Sequence, residues 1–282
     1  MSTKVKIGVI NNKNYLFYSK LLQKQLNAIQ IENEIVLIDS KLRNQDEYLN
    51  QLLLSGIIDI SLKKLSSQPF YLESGICNAI VLKRFQDNYC IYTKDNTSNL
   101  QSIFSQGIIN FVVNNEILIH QLKSINSNIN IEYKDLDEEG LLQMIDNETD
   151  DAIVFPEELT NGIENYFKNG KLLKLSPKEF PPPAATGIVV LQCLESNIKL
   201  RLNLLEVIDN QAMWQSNVER NVMKHFEKNY SVKIGIHCEQ DEASNFHVWA
   251  NYSNEGKFNQ IRKSSSTSFG LAENIVKIIM NE

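Results

Sequence analysis

The sequence predicts an α/β protein of two doubly wound lobes followed by a smaller α+β domain. Three observations predict it. Short Val- and Ile-rich runs alternate with amphipathic stretches from residue 4 onward. The alternation starts again after the polar stretch 94–99, and a proline-rich crossing, Phe180-Pro-Pro-Pro-Ala-Ala-Thr-Gly187, precedes a last unit. Parallel strands need long crossover connections, so a βαβαβ order reads as a parallel sheet with helices against it.

Residues 4–10 read as a buried strand, 11–14 as a polar break and 15–26 as a helix with apolar residues at helical spacing. Residues 34–38 give a second strand, 46–55 a helix and 56–62 a third strand. Two further β-rich runs follow at 77–82 and 88–93, and then the polar stretch 94–99 as a hinge. The second unit runs strand 108–113, helix 116–124, strand 129–133, helix 138–145, strand 152–155. At the crossing each proline biases its predecessor toward extended backbone, and 188–191 returns as one more strand. A helix at 217–227, strands at 232–237 and 246–252 and a helix at 269–280 make the last unit, with Ser264 to Ser268 as a flexible connection and Ser268 as a candidate N-cap. The expected domains are residues 1–95 with 187–210, residues 96–186, and residues 211–282.

With 282 residues, 43% of them hydrophobic and 22% charged, the composition is that of a soluble globular chain with room for two or three domains. A net charge of -6 argues against a nucleic-acid binder, which shows a basic face. No run is apolar enough to span a membrane, and the N-terminus enters a strand pattern without a signal-like segment, so the expected location is cytoplasmic and the expected state a monomer. Cys77, Cys90, Cys193 and Cys238 are scattered, without a Cys-x-x-Cys pair, and read as free thiols rather than a metal site or disulfide framework. His237 and Cys238 are neighbours on a strand and point to opposite faces, which argues against a shared metal. His120 and His225 read as surface or cap residues.

Near the C-terminal third the chain reads Glu219-Arg220-Asn-Val-Met-Lys-His-Phe-Glu-Lys-Asn-Tyr230-Ser-Val-Lys-Ile-Gly235. This resembles the segment Glu-Arg-Ala-Phe-x-x-x-Leu-Glu-Gly-Gly-Cys-Gln-Val-Pro-Ile-Gly of porphobilinogen deaminases (hydroxymethylbilane synthases), matching at Glu219, Arg220, Glu227, Val232, Ile234 and Gly235. The resemblance extends over nearly the whole chain. Val5 to Asn12 sits where the family has Ile-Arg-Ile-Gly-Thr-Arg-Gly-Ser, and Gly56-Ile-Ile-Asp59 where it has Gly-Glu-Ile-Asp. Gln121-Leu122, Asp151-Ala-Ile-Val154 and Pro182 to Gly187 also match family segments. It implies a three-domain architecture of two lobes like those of periplasmic binding proteins plus a small cap. The activity it implies is the joining of four porphobilinogens into hydroxymethylbilane in haem synthesis.

The same alignment removes the family's chemistry. The cysteine that anchors the dipyrromethane cofactor falls on Tyr230, and a phenol is a far poorer nucleophile near neutral pH than a thiol of pKa ~8.5. The catalytic aspartate falls on Ser67, with Ser66 on the preceding lysine. A shifted register would equate Ser61-Leu-Lys-Lys-Leu65 with Ser-Leu-Lys-Asp-Leu and put Lys64 on the aspartate. The carboxylate-gripping arginines fall on Ile10, Ile117, Leu118, Asp135 and Leu141, none of which offers the guanidinium fork. The resemblance thus implies a deaminase scaffold with no dipyrromethane cofactor and no catalytic residue at the family positions. Three functions stay open: a non-catalytic paralogue partnering a true deaminase or another haem-pathway enzyme, a two-lobed small-ligand-binding module, and a divergent active synthase that uses Cys77, Cys193 or Cys238. Ser66 and Ser67 are candidate hydrogen-bonding groups for a small ligand.

Overall fold

The computed structural model describes residues 4–94, 99–105, 110–135, 138–146, 152–161, 163–227, 232–254 and 256–280. The first lobe opens with β1 (Val5–Ile10), α1 (Lys13–Ala28), β2 (Asn33–Ile38), α2 (Gln45–Leu54), β3 (Ile60–Lys64) and β4 (Ile76–Val81). The chain continues through β5 (Tyr89–Thr93), α3 (Leu100–Ser105), β6 (Asn110–Val113), α4 (Glu116–Ile125), β7 (Asn130–Tyr133), α5 (Glu138–Asp146), β8 (Ala152–Pro156) and β9 (Lys171–Leu175). It then returns with β10 (Val189–Leu194), α6 (Ile198–Leu204) and α7 (Asn210–His225), and closes with β11 (Lys233–Gln240), β12 (Phe246–Asn254), β13 (Lys257–Ser265) and α8 (Leu271–Met280).

Two compact units result, Met1–Phe85 with Thr186–Trp214, and Gln86–Ala185 with Gln215–Glu282. The first holds a five-stranded sheet of order β2-β1-β3-β10-β4, in which β1 pairs in parallel with β2 and β3 while β10 runs antiparallel to β3 and β4. The second holds a sheet of order β7-β6-β8-β5-β9, wound the same way: β6 parallel to β7 and β8, β5 antiparallel to β8 and β9. It also holds the antiparallel sheet β11-β12-β13. The fold is therefore mixed α/β, two doubly wound sheets plus a small antiparallel one, as the sequence predicts.

Continuous apolar runs explain most of this. In β1, Ile7, Val9 and Ile10 are buried in the first core, while Gly8 lets α2 and the turn before β3 close in: a Cβ there would meet Ile58 Cδ1 at 2.5 Å and Leu49 Cδ2 at 2.9 Å. Helix α1 starts where Asn12 Oδ1 accepts the Tyr15 amide at 2.9 Å, satisfying one of the first-turn donors.

Elements beyond those predicted are α3, β9, α6 and β13, and α7 starts at Asn210 rather than 217. Strand β13 hides in its composition: it is an edge strand with mostly exposed polar side chains, and Lys257 and Lys263 suit an edge that must not pair further. The expected flexible serine run is partly ordered, because Ser264 and Ser265 end β13. Ser268 does not cap α8 as expected. The helix begins at Leu271, and it is the Ser268 carbonyl that accepts the Leu271 amide at 3.3 Å.

Candidate functional site

Each five-stranded sheet builds the same junction once. Its central parallel strand ends, two asparagines follow, and a helix starts: Ile10-Asn11-Asn12-Lys13 in the first lobe and Val113-Asn114-Asn115-Glu116 in the second. In both, the second asparagine caps the helix; Asn115 Oδ1 accepts the Ile117 amide at 3.0 Å. Carboxyl ends of parallel strands and helix N-termini are where doubly wound sheets take ligands, because unpaired amides and the positive end of the helix dipole converge there.

The second junction opens on a cavity of about 320 Å3 whose lining includes Asn114, Asn115, Tyr133, Met223, Lys233 and Ile234. Asn114 Oδ1 is buried and has no hydrogen-bond partner among the described residues. An ion pair joins Lys233 to Glu116, which neutralises the charge at the rim. Among the described residues the cavity thus offers a buried acceptor beside a helix start but no unpaired cation in its lining, which suits a small polar ligand better than a polyanion.

The family positions do not converge on any such chemistry. Ile117, 1% exposed, lies against the cavity at the start of α4, whereas Ile10 is buried in the first core and Leu118 and Leu141 are 0% exposed in the cores of the second lobe. Side chains sealed this deep could not be arginines without burying unpaired charge. Asp135 is exposed just after β7, where it would repel a carboxylate. Strand β3 runs unbroken through Lys63 and Lys64, and a 3-10 turn follows at Leu65–Ser67. Ser66 and Ser67 are exposed there, and Ser67 Oγ donates to the Lys64 carbonyl at 3.1 Å. Tyr230 lies outside the described residues. These residues do not fit a cofactor bearing many acetate and propionate groups.

Two of the three replacement thiols, Cys193 and Cys238, are sealed away from solvent. Cys193 and Cys238 are 0% exposed in two different cores, and burial pushes the Cys193 thiol up to about 12, with Cys77 adding to the shift. Burial likewise pushes Cys90 up to about 12. Cys77, on the edge strand β4, is half-buried.

The matched motif residues instead form a structural clasp within the second unit. Glu219, 0% exposed on α7, accepts the Ala185 amide at 2.6 Å and the Cys238 amide at 2.7 Å. Gln121 Nε2 donates to the Pro181 carbonyl at 3.1 Å, and the Ile236 amide to the Pro182 carbonyl at 2.7 Å. Gly235 is required because the Pro181 carbonyl oxygen lies 1.9 Å from where a Cβ would stand. So Gln121, Pro182, Glu219 and Gly235 all hold the crossing segment.

Two clusters escaped the sequence reading. Lys63 is 1% exposed; its Nζ donates to the Asp46 carbonyl at 3.0 Å and to Asn50 Oδ1 at 2.5 Å, and burial lowers its pKa. Gln68 bonds Asp46 at 3.1 Å, and Gln192 joins Gln68 at 3.1 Å and Asn78 at 2.9 Å, so a polar layer runs from the buried Lys63, Gln68 and Gln192 out to the surface. On the small sheet, His237 is 2% exposed, with Glu239 at 3.1 Å and Asp87 at 3.6 Å. The hydrogen bond from His237, with help from Lys178, holds Glu239 down to about 2. The spacing of His237 and Glu239, two residues apart on one face of β11, could have flagged the second cluster; nothing in the pattern around Lys63 marks it as buried. Among the described residues no group of three or more His, Cys, Asp or Glu is placed to hold a metal, and no helix is long and apolar enough to cross a membrane.

No family model matches the chain. A protein of Thermoplasma volcanium named "Probable porphobilinogen deaminase" is 25% identical over 253 residues, covering 83% of this chain and 80% of that one. Among solved structures, the methionine-binding protein MetQ aligns over 77% of this chain and 94% of its own, at 15% identity and a TM-score of 0.46. A TRAP periplasmic solute-binding protein of Rhodobacter sphaeroides aligns over 80% of this chain and 83% of its own, at 12% identity and a TM-score of 0.45. The cytoplasmic location expected from the sequence is corrected on this finding: the solved proteins of similar architecture include one named as periplasmic, and the cytoplasmic assignment is withdrawn.

Proposed function

We propose that this chain is a small-ligand-binding protein on a deaminase-like scaffold, and that it does not make hydroxymethylbilane. The observation that carries the reading is the core burial of Ile10, Leu118 and Leu141 at positions where the family resemblance requires arginines. The ligand site is the cavity at the start of α4, with the buried Asn114 Oδ1 as acceptor and the positive end of the α4 dipole beside it. A ligand with one donor and one acidic or carbonyl group fits it, an amino acid or small hydroxy acid rather than a tetrapyrrole.

The test joins three measurements on the purified chain: porphobilinogen turnover, intact mass, and thermal unfolding against a panel of small polar acids. The expected result is no turnover, the bare mass, and stabilisation by one ligand class, about 2.7 kcal/mol at a hundredfold excess over Kd. Asn114→Leu is expected to weaken that ligand at least tenfold. Turnover at an enzymatic rate would sink the proposal. The likeness to the Thermoplasma protein keeps one competing reading in play, an active synthase with relocated groups. Dipyrromethane bound covalently to Cys77, Cys193 or Cys238 would establish it.

A further inference from the structure

Cys77 and Cys193 are direct partners across the antiparallel pair of β4 and β10. Opposed residues in such a pair have Cα atoms ~4.5 or ~5.5 Å apart, and both spacings fall within the ~4.4–6.8 Å that a disulfide spans. Both thiols are free, and the Cys77 side chain acts on Cys193 as a hydrogen-bond partner. The two differ in access. Cys77 is half-buried on the edge strand, whereas Cys193 is sealed in the first core. One thiol can therefore meet a reagent in solution, and the other can only meet its neighbour.

We propose that Cys77 and Cys193 form a reversible disulfide by exchange with a low-molecular-weight disulfide such as oxidised glutathione. The Cys77 thiolate attacks one sulfur of glutathione disulfide, and the other leaves as glutathione thiolate. The Cys193 thiolate then attacks Cys77 Sγ in the mixed disulfide and expels the second glutathione. Two cysteine protons pass to the two leaving thiolates, so two thiols are oxidised and one disulfide is reduced. The second step is the slower, because burial keeps Cys193 protonated at neutral pH; the part of that shift due to Cys77 ends once Cys77 is capped.

The bond would have a topological effect. Strand β4 is the last strand before the chain leaves the first unit at Phe85, and β10 the first after it returns at Thr186. Joining them closes a covalent ring over residues 78–192, which contains the whole second five-stranded sheet, and staples the edge strand β4 to β10. Constraining so long a loop in the unfolded chain raises stability.

The test equilibrates reduced protein with excess oxidised glutathione at mildly alkaline pH. The expected product has lost two of its four thiols, is lighter by two hydrogens, carries no glutathione, and gives a peptide joining Cys77 to Cys193. Its Tm is higher by on the order of 5 °C. Cys77→Ala should abolish the reaction. Cys193→Ser should stop at a glutathione adduct on Cys77, and Cys90→Ser and Cys238→Ser should react as the parent does. Four thiols still free, a stable Cys77 adduct in the parent chain, or a link between any other pair would overturn the proposal.

Discussion

The two five-stranded sheets share one winding and one strand–Asn-Asn–helix junction, yet their interiors differ. Aligning the junctions places Gly8 of β1 on Phe111 of β6; by strand pairing, Ser61 then corresponds to Ala152 and Lys63 to Val154. In the second lobe this strand reads Ala-Ile-Val-Phe and is buried throughout among apolar neighbours. In the first lobe the corresponding strand carries a buried ammonium, answered by Asp46, Asn50, Gln68, Gln192 and Asn78 from α2 and the adjoining strands and turn. The same topology tolerates both, because the buried ammonium of the first lobe finds its partners. What differs is the company each strand keeps.

The largest expected effect follows from moving the charge across. Val154→Lys would put an ammonium at a 0% exposed site whose described neighbours are apolar, and is expected to cost more than about 4 kcal/mol in denaturant unfolding. A loss under about 1 kcal/mol would break the comparison, since the second lobe would then accommodate charge without a prepared network. The reverse change is expected to be milder. Lys63→Met keeps the volume but strands Asn50 Oδ1 and the Asp46 carbonyl, at a cost of about 1–3 kcal/mol, moderated because the Asp46 side chain is 45% exposed. A gain in stability would mean that the polar layer is a burden the first lobe carries for some other reason.

How far the sequence foretold this depends on what kind of interaction is at work. Apolar periodicity reveals β1, β6 and β8 because each buries a continuous run. It cannot reveal Lys63, since a lysine in a strand reads as solvent-facing unless its partners are known, and these are scattered from residue 46 to residue 192. Strand β13 is missed because it buries little. The junction of the first lobe is legible as the polar break 11–14 and the lost arginines are legible through the family resemblance, whereas Asn114-Asn115 of the candidate site carries no mark in the pattern. The clasp around Pro181 to Ala185 is not, because its bonds run to backbone amides and carbonyls that no residue pattern encodes. Glu219 and Gly235, which match the family's cofactor segment, hold the crossing in place here.

A subtler difference between the lobes lies in alkaline titration. Burial lowers the Lys63 pKa below the ordinary lysine value of 10.5, so the unfolded chain binds the extra proton, and stability rises with pH between the lowered value and 10.5. Lys174 of the second lobe is the opposite case. It pairs with the buried Glu157, and the hydrogen bond raises its pKa above 10.5. Its contribution is fully present below 10.5 and is lost as pH climbs through the raised value. Because the Lys174 side chain is 61% exposed, that contribution is on the order of 0.5 kcal/mol. Unfolding measured from pH 8 to 11 separates the two. Lys63→Met should remove a stability gain on the approach to pH 10.5, while Lys174→Met should remove a loss beyond it. If both variants shift the profile in the same direction, then Lys63 is not held as a desolvated cation, and the two lobes are more alike inside than their geometry indicates.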